Sequence, residues 1–286
     1  MRFWVTGIVS GLILMLMGSV PSSRGGQLSP ADRLRAARTW VSYYSAGQIP
    51  QLLHFDVVDI DVEDGAANYT PQDVAELKSQ GKLVLSYINL GSAEPFRSYW
   101  SQVQPYILRK YPGWDEFYMD ASKPGYREVL VGTVVPQILS KGVDGLFLDN
   151  VDAGSDTGRP DVTAGMVELV RQIHVRHPGT LLIAQSSNLR VLTERGSDGR
   201  QFYQYVQGLA REEVSATYQG GYQKIPLRQS DAMLHTLAAW RKKGLTVFTL
   251  DYANSKELAQ YAIARARAYG LIPYVGQREL NRVSSW

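Results

Sequence analysis

Cysteine is absent from the 286 residues, and histidine is scarce. Without cysteine the chain has no disulfide, no cysteine-ligated metal site, no cysteine nucleophile and no lipoprotein anchor. One histidine precedes an apolar run and the others lie in segments with helical periodicity, so none is expected beside a cluster of functional side chains. This placement argues against a histidine-based metal centre and against a Ser–His–Asp triad. The histidines are His54, His174, His177 and His235.

Phosphate-binding glycine motifs are also missing. The first apolar run is followed by Tyr43-Tyr44-Ser45-Ala46-Gly47, and neither a Walker motif nor G-x-G-x-x-G occurs in the chain. This disfavours a nucleotide-binding, doubly wound sheet. The net charge is +3 and the pI is about 8.9. Because lysine and arginine are scattered, mostly over segments expected to be helical, we expect no nucleic-acid partner and no cofactor.

Residues 1–26 have the features of an export signal. Arg2 gives a positive start, and residues 5–17 are uncharged and mostly apolar. That length suits a signal-peptide core better than a membrane span. Small residues follow without a clean A-x-A cleavage site, so an uncleaved anchor remains open. We expect cleavage between about residues 20 and 27, a secreted or periplasmic protein, and no other contact with a membrane.

Eight short apolar runs punctuate the rest of the chain. They are rich in leucine and β-branched residues and do not alternate with polar ones, as expected for strands buried on both faces. Helical patterns separate several of them, most weakly after the first and fifth. This alternation predicts an α/β protein, a single-domain (β/α)8 or TIM barrel over residues 38–286. The predicted strands are residues 40–44, 55–61, 83–89, 145–150, 181–185, 206–212, 245–251 and 271–275.

The sequence also predicts where some helices begin and bend. Thr70, Asp161, Ser230 and Ser255 are each predicted to cap the start of a helix. Pro136 falls inside a helical pattern, where it should interrupt the hydrogen-bond ladder and kink the helix.

Carboxylates cluster where a barrel enzyme has its active site, at the carboxyl ends of the strands. Asp149 follows the apolar run Gly-Leu-Phe-Leu of the fourth predicted strand, and Glu212 ends the sixth. Two acids at one mouth suit glycoside hydrolysis, in which one protonates the leaving oxygen and the other is nucleophile or base. We therefore predict Asp149 and Glu212 as the catalytic pair. Asp149 is assigned as the nucleophile and Glu212 as the acid/base, with the reverse assignment left open.

Other residues at or just beyond the same strand ends are predicted to bind the substrate. Some have simpler alternatives, since Asp61 and Asp152 could each cap a turn or loop and Asp251 could orient a tyrosine. An ammonium group on the substrate could be bound by an acidic cluster of Asp61, Glu94, Asp149, Glu212 and Asp251. The predicted binding residues are Tyr44, Asp61, Tyr87, Asn89, Glu94, Arg97, Asp152, Gln185, Asp251 and Tyr252.

The connection after the third predicted strand is too long for a simple turn. About thirty residues, 95–125, separate that strand from its helix, where a few would suffice. Aromatic residues are dense there, and most are expected to pack into a small folded insertion. At least one of four rings is expected to line the cleft, because aromatic faces stack well on sugar rings. The candidates are Tyr99, Trp100, Tyr111 and Trp114.

Three segments resemble glycoside hydrolase family 114, the endo-α-1,4-polygalactosaminidases and related bacterial proteins. They are residues 90–100 (LGSAEPFRSYW), 142–152 (GVDGLFLDNVD) and 208–212 (GLARE). The resemblance covers nearly all of the chain beyond the export segment. It implies a barrel with Asp149 and Glu212 as catalytic residues and a further functional acid at Asp61. The chain departs from the family at Ser92, where the common pattern Gly-Glu-Ala-Glu has glutamate, and at Gln207.

The sequence therefore supports three hypotheses. The first is an exported, endo-acting glycosidase that cleaves an α-1,4-linked, galactosamine-containing polysaccharide with retention at the anomeric carbon. Only the resemblance names that polymer, and a substrate with some free amino groups is expected. The second hypothesis is a carbohydrate-binding barrel that has lost catalysis, which the departure at Ser92 favours. The third is a hydrolase with a metal ion bound only by oxygen ligands.

Overall fold

The computed structural model describes residues 28–284 and 286. Within them, eight parallel strands pair in chain order, and the last lies against the first, which gives a nearly closed barrel. The (β/α)8 prediction is confirmed, with strand bounds that differ by at most two residues from those expected. The barrel strands, called first to eighth below, are Trp40–Tyr43, Val57–Ile60, Leu83–Asn89, Gly145–Asp149, Leu181–Gln185, Gly208–Glu212, Thr246–Tyr252 and Ile272–Gly276.

The interior of the barrel is a packed core and not a pore. Trp40 of the first strand packs against Phe147 of the fourth and Phe248 of the seventh, with ring centroids 5.9 and 4.9 Å apart. All three side chains are at most 2% exposed. Rings from non-adjacent strands therefore meet across the barrel, and their burial contributes both hydrophobic stabilisation and specific ring packing.

Two of the predicted helix caps are confirmed and two are wrong. Thr70 and Ser255 each accept the backbone N–H of the residue three positions later. Asp161 and Ser230 do not cap, because their helices begin earlier, at Pro160 and Leu227. The α-helices of the described chain are Pro30–Ala36, Ile49–Leu52, Pro71–Ser79, Trp100–Val103, Pro124–Val129, Val135–Ser140, Ala153–Asp156, Pro160–Arg176, Leu227–Lys242 and Lys256–Ala268.

The weak helical patterns after the first and fifth strands correspond to short elements. The first connection holds only the four-residue helix Ile49–Leu52. In the described part of the chain, the fifth contains the 3-10 turns Leu189–Thr193 and Phe202–Gln204 and no α-helix. Both connections therefore cover the barrel with irregular chain, which carries little helical periodicity.

The helix interruption expected at Pro136 coincides with a π-helical turn just before the proline. The helix Pro124–Val129 runs through the π-helical residues Leu130–Val134 into Val135–Ser140. Pro136 has no N–H to donate, and its ring crowds the carbonyl group four residues earlier. A wider turn directly before the proline accommodates both defects without ending the helix.

The segment between the third strand and its helix folds as a small unit. A three-stranded antiparallel sheet joins Ser92–Ala93, Phe117–Met119 and Ile107–Lys110. Tyr99 is only 2% exposed, and Trp100 packs on Phe117 with centroids 5.5 Å apart. Several rings of this insertion are therefore buried in, or packed against, the same hydrophobic core as the barrel, whereas Phe96 and Trp114 are 55% and 46% exposed.

The predicted export signal, residues 1–26, lies outside the described residues. Across residues 28–284 and 286, no helix is long and apolar enough to cross a bilayer.

Candidate active site

Asp149 ends the fourth strand and is half-buried at the barrel mouth. Tyr87 Oη donates to its Oδ2 at 2.8 Å, and the backbone N–H of Asn150 donates to its Oδ1 at 2.8 Å. Asn150 adopts a φ of 54°, a left-handed conformation that asparagine tolerates better than most residues. Loss of hydration, followed by the charges of Glu212 and Glu116, raises the pKa of Asp149 well above its ordinary value.

Glu212 ends the sixth strand and is also half-buried. Tyr252 Oη of the seventh strand donates to its Oε2 at 2.8 Å. Loss of hydration raises the pKa of Glu212, while Tyr252, Arg211 and the amide of Gln185 partly offset that effect. The two predicted catalytic residues thus lie at one mouth, close enough for the charge of Glu212 to raise the pKa of Asp149.

Another carboxyl group, that of Asp59, is connected to Asp149 through two tyrosines. Asp59 of the second strand is fully buried and accepts hydrogen bonds from Ser42 Oγ at 2.7 Å and Tyr44 Oη at 2.6 Å. Burial raises the pKa of Asp59 to about 8. The Tyr44 ring packs on Tyr87 with centroids 4.7 Å apart. Tyr44 and Tyr87, both predicted as binding residues, therefore connect Asp59 to Asp149.

A buried arginine neutralises two of the predicted acids. Arg97, 4% exposed, donates through Nη1 to Asp61 Oδ2 at 2.6 Å and through Nε and Nη2 to the two oxygens of Glu94 at 3.0 and 2.8 Å. Glu63 lies 3.8 Å from the same Nη1. The charge and the forked geometry of the Arg97 guanidinium match two carboxylates at once. The sequence placed Asp61, Glu94 and Arg97 together but did not reveal that they bind each other.

Glu116, in the insertion, was missed by the sequence analysis. It is 6% exposed, and its Oε2 accepts hydrogen bonds from Asn89 Nδ2 at 2.9 Å and Ser92 Oγ at 3.0 Å. Burial raises the pKa of Glu116 to about 7. The only sequence signal was an acid within an aromatic-rich segment. Gly91 lets the chain pass here, because a Cβ on it would lie 2.2 Å from the Asn150 carbonyl oxygen.

Asp152 and Asp251, predicted as binding residues, hold loops at the mouth. Asp152, 3% exposed, accepts the backbone N–H of Asn188 and so holds the loop after the fifth strand, and not the loop that follows Asp152 itself. Asp251 is fully buried, and burial raises its pKa to about 6. Its Oδ1 accepts backbone N–H groups at 2.9, 2.6 and 2.8 Å from Val214, Ser215 and Ala216.

The aromatic candidates for the cleft wall differ in exposure. Tyr99 is buried and Trp100 and Tyr111 are half-buried, whereas Trp114 is 46% exposed. The Arg278 guanidinium lies 4.4 Å from the Trp114 ring centroid and 5.0 Å from that of Tyr218. Tyr218 in turn packs edge-on against Tyr252 at 5.1 Å. Trp114 is thus joined through stacked side chains to the residue that hydrogen-bonds Glu212.

Over the described ranges 28–284 and 286, no three histidine, aspartate or glutamate side chains are grouped so that they could hold a metal ion.

A (β/α)8 barrel with two half-buried carboxyl groups at the carboxyl ends of its strands has the architecture of a glycosidase. The model of glycoside-hydrolase family GH114 matches residues 24–286. The chain therefore belongs to glycoside hydrolase family 114. An uncharacterized protein of Deinococcus radiodurans is 30% identical over 245 residues, which cover 80% of this chain and 75% of that protein.

Solved structures agree on the fold. The glycoside hydrolase domain of PelA from Pseudomonas aeruginosa superposes with a TM-score of 0.72 at 24% identity, covering 86% of this chain and 97% of that domain. Ega3 from Aspergillus fumigatus, solved in complex with galactosamine, gives a TM-score of 0.66 at 16% identity, covering 86% and 93% of the two chains. Sequence identities this low show a common barrel fold only. The substrate has to be inferred from the residues of the site.

Proposed function

We propose that this protein is an endo-acting glycosidase that cleaves an α-1,4-linked, galactosamine-containing polysaccharide with Asp149 and Glu212. One observation carries the proposal. The two carboxyl groups share a mouth, are reachable from solvent, and have no salt bridge among the described residues. Unpaired acids kept so close reduce stability, and such groups are characteristic of acid/base sites.

The pair has the electrostatics that glycoside hydrolysis needs. Two like charges in a poorly hydrated cleft oppose each other's ionisation, so the pKa values belong to the pair. One group can then donate a proton to the leaving oxygen while the other attacks or stabilises the sugar. Tyr87 and Tyr252 each hold one member of the pair through a hydroxyl hydrogen bond.

We assign Asp149 as the nucleophile and Glu212 as the acid/base. Asp149 has a short side chain with both oxygens hydrogen-bonded, by Tyr87 and by the backbone of Asn150, and is therefore held rigidly. Glu212 has one more rotatable bond and can reach the leaving oxygen. A nucleophilic carboxylate implies a covalent glycosyl-enzyme intermediate and retention of configuration.

The assignment of roles can be tested with an aryl glycoside whose leaving group needs no protonation. An acid/base variant should form the glycosyl-enzyme nearly as fast as the wild type, whereas a nucleophile variant should not. Rapid glycosylation by Asp149→Asn and slow glycosylation by Glu212→Gln would reverse the roles.

The substrate class is inferred from the family and from one structural relative. Ega3 was solved with galactosamine, and an amino sugar suits a mouth at which some carboxyl groups, such as Asp149 and Glu212, have no salt bridge among the described residues. We also propose export, based on the sequence of residues 1–26. Amino-terminal sequencing of protein recovered from periplasm or medium should find a start between about residues 20 and 27. Full-length protein confined to the cytosol would contradict export.

Polymer hydrolysis tests the proposed function directly. Wild-type protein and the Asp149→Asn variant are incubated with partly deacetylated α-1,4-galactosamine polymer, and products are identified by mass spectrometry together with new reducing ends. Internal cleavage by the wild type alone is expected. Binding of the polymer without cleavage by either protein would identify a carbohydrate-binding barrel instead. Loss of cleavage on chelation would point to the metal-dependent alternative.

A further inference from the structure

Most acids at the mouth already have partners. Arg97 neutralises Asp61 and Glu94. The bonded oxygen of Asp251 accepts three backbone N–H groups. Both oxygens of Glu213 are hydrogen-bonded, one to Thr217 Oγ1 and the other to Gln219 Nε2 at 2.8 Å. A cationic group on a substrate would have to displace these partners, at the cost of leaving buried polar groups unsatisfied.

Glu116 differs from Asp61, Glu94 and Glu213 because one of its two carboxylate oxygens is unused. Asp251 Oδ2 also lacks a partner in the described part of the chain, but Asp251 is fully buried, whereas Glu116 is 6% exposed. Oε2 accepts from Asn89 and Ser92, at 2.9 and 3.0 Å. Oε1 has no hydrogen bond and Glu116 has no salt bridge within residues 28–284 and 286. Lys110, which belongs to the same loop, pairs with Asp115 instead. Two neutral donors thus fix the carboxylate and leave one oxygen available.

The free carboxylate lies beside the catalytic pair. Asn150 Nδ2 is 3.1 Å from Ser92 Oγ and 3.4 Å from Asp149 Oδ2, so two side chains connect Glu116 to Asp149. The charge of Glu116 is close enough to raise the pKa of Asp149. A sugar ring held at Asp149 would therefore place a substituent, or its neighbouring ring, within reach of Glu116.

We propose that Glu116 binds the protonated amino group of an amino-sugar residue next to Asp149 and so selects glycosides with a free amine over their N-acetylated forms. This assignment rests on the proposed function, since it concerns the same cleft. An ammonium group offers donors and a charge to Oε1, whereas an acetamido group is neutral and bulkier. Hydrogen bonds to charged groups are worth enough to change affinity roughly tenfold to a hundredfold.

Binding, and not turnover, gives the sharpest test. Galactosamine oligomers and N-acetylgalactosamine oligomers are titrated calorimetrically into Asp149→Asn protein, which keeps the oligomers intact. Adding Glu116→Gln should weaken binding of the free-amine oligomer about tenfold or more and leave that of the acetylated oligomer unchanged. Glutamine keeps an acceptor for Asn89 and Ser92, so the loop should remain in place, and melting temperatures verify this.

Asp115→Asn is the matched control. Asp115 is the preceding residue on the same loop, its side chain is 86% exposed, and its loss removes the same charge. Its partner Lys110 also packs over the Phe117 ring, 4.4 Å from the centroid, and so stays in place. Asp115→Asn should leave the preference for the free amine unchanged. Should Glu116→Gln unfold the protein, Glu116→Asp carries the test, because it keeps the charge and should reduce the preference only partly.

The outcomes separate this inference from the proposed function. Hydrolysis without any preference for the free amine overturns the role of Glu116 and leaves the glycosidase standing. A Glu116-dependent amine preference without hydrolysis supports the binding role and rejects the enzyme. Equal weakening for both oligomers, or failure of both to bind, overturns the assignment of Glu116.

Discussion

Two sets of carboxyl groups at the barrel mouth differ in what lies against them. Asp61 and Glu94 share the buried guanidinium of Arg97, at 2.6 and 2.8 Å. Asp149 and Glu212 instead receive hydrogen bonds from tyrosine hydroxyls, and the charge of Glu212 raises the pKa of Asp149. A cation neutralises the first set, whereas the second, which we propose as the catalytic pair, has no salt bridge among the described residues. The partner, and not the residue type, separates the two roles.

The largest expected effect is on turnover. Asp149→Asn and Glu212→Gln should each lower kcat by on the order of a thousandfold or more, because each removes a group that acts in the transition state. Melting temperatures should be unchanged or higher, since each change relieves like-charge crowding. Kinetics and thermal melting of both variants measure this.

Glu213→Gln provides the control for turnover. Glu213 is the next residue after Glu212 and is bonded within its own loop, so its change should alter kcat by less than about tenfold. Full activity of either pair variant, or unfolding of both, would show that the pair is structural.

Removing the cation of Arg97 tests the set of acids that it neutralises, Asp61 and Glu94. Arg97→Met should lower the free energy of unfolding by about 3–5 kcal/mol, because it strands buried carboxylates without a cation. Arg97→Lys keeps the charge but loses the forked hydrogen bonds and should cost less. Urea denaturation of the three proteins gives the comparison. A loss below about 1 kcal/mol for Arg97→Met would mean that the two sets of acids do not differ as described.

Asp59 offers a test through pH. Its pKa is about 8 in the folded protein against an ordinary value of 3.8, so the folded state binds this proton more tightly. The resulting stabilisation is complete below pH 3.8 and is lost as the pH rises towards about 8. Asp59→Asn imitates the protonated form and should therefore keep this stabilisation as the pH rises. The melting temperature of the variant should therefore gain on that of the wild type between pH 5 and 9.

A matched control for the pH test is Asp161→Asn. The hydrogen bond from Arg159 lowers the pKa of exposed Asp161 to about 2, so its loss should add no pH dependence in that interval. A constant difference between Asp59→Asn and wild type across the interval would refute a protonated Asp59.

The smallest expected effect is on KM and concerns two exposed aromatic rings, one near each of the two sets of carboxyl groups. Trp114 stacks on Arg278 and connects towards Glu212, whereas Phe96 lies over Arg97, 4.7 Å from its guanidinium carbon. Trp114→Ala should raise KM for long polymer up to about tenfold, the range expected for one aromatic contact. Phe96→Ala should raise it less. Steady-state kinetics with short and long oligomers decide this, and equal effects on both lengths would exclude stacking at a distal position.

The fold could be predicted because its signal is local. Non-alternating runs such as Leu83–Asn89 are buried on both faces, as strands of a parallel barrel must be. Caps at Thr70 and Ser255 act through their own next turn. The helix cap predicted at Ser230 was wrong because serine is also tolerated inside a helix. Here Ser230 is buried, and its Oγ lies 3.1 Å from Ser215 Oγ. Contacts with another strand loop decided that, and no local pattern records them.

By itself, the sequence determined the barrel, the face that carries the site and the position of Asp149 and Glu212 at strand ends, because strand order fixes which chain ends converge. Only the tertiary structure decided which acids are free. Arg97 and Glu116 come from the insertion, whose path across the mouth depends on how its aromatic side chains pack. Their distances to Asp61 and Asn89 follow from that path, and electrostatic partnership depends on distance and hydration, which residue order does not encode.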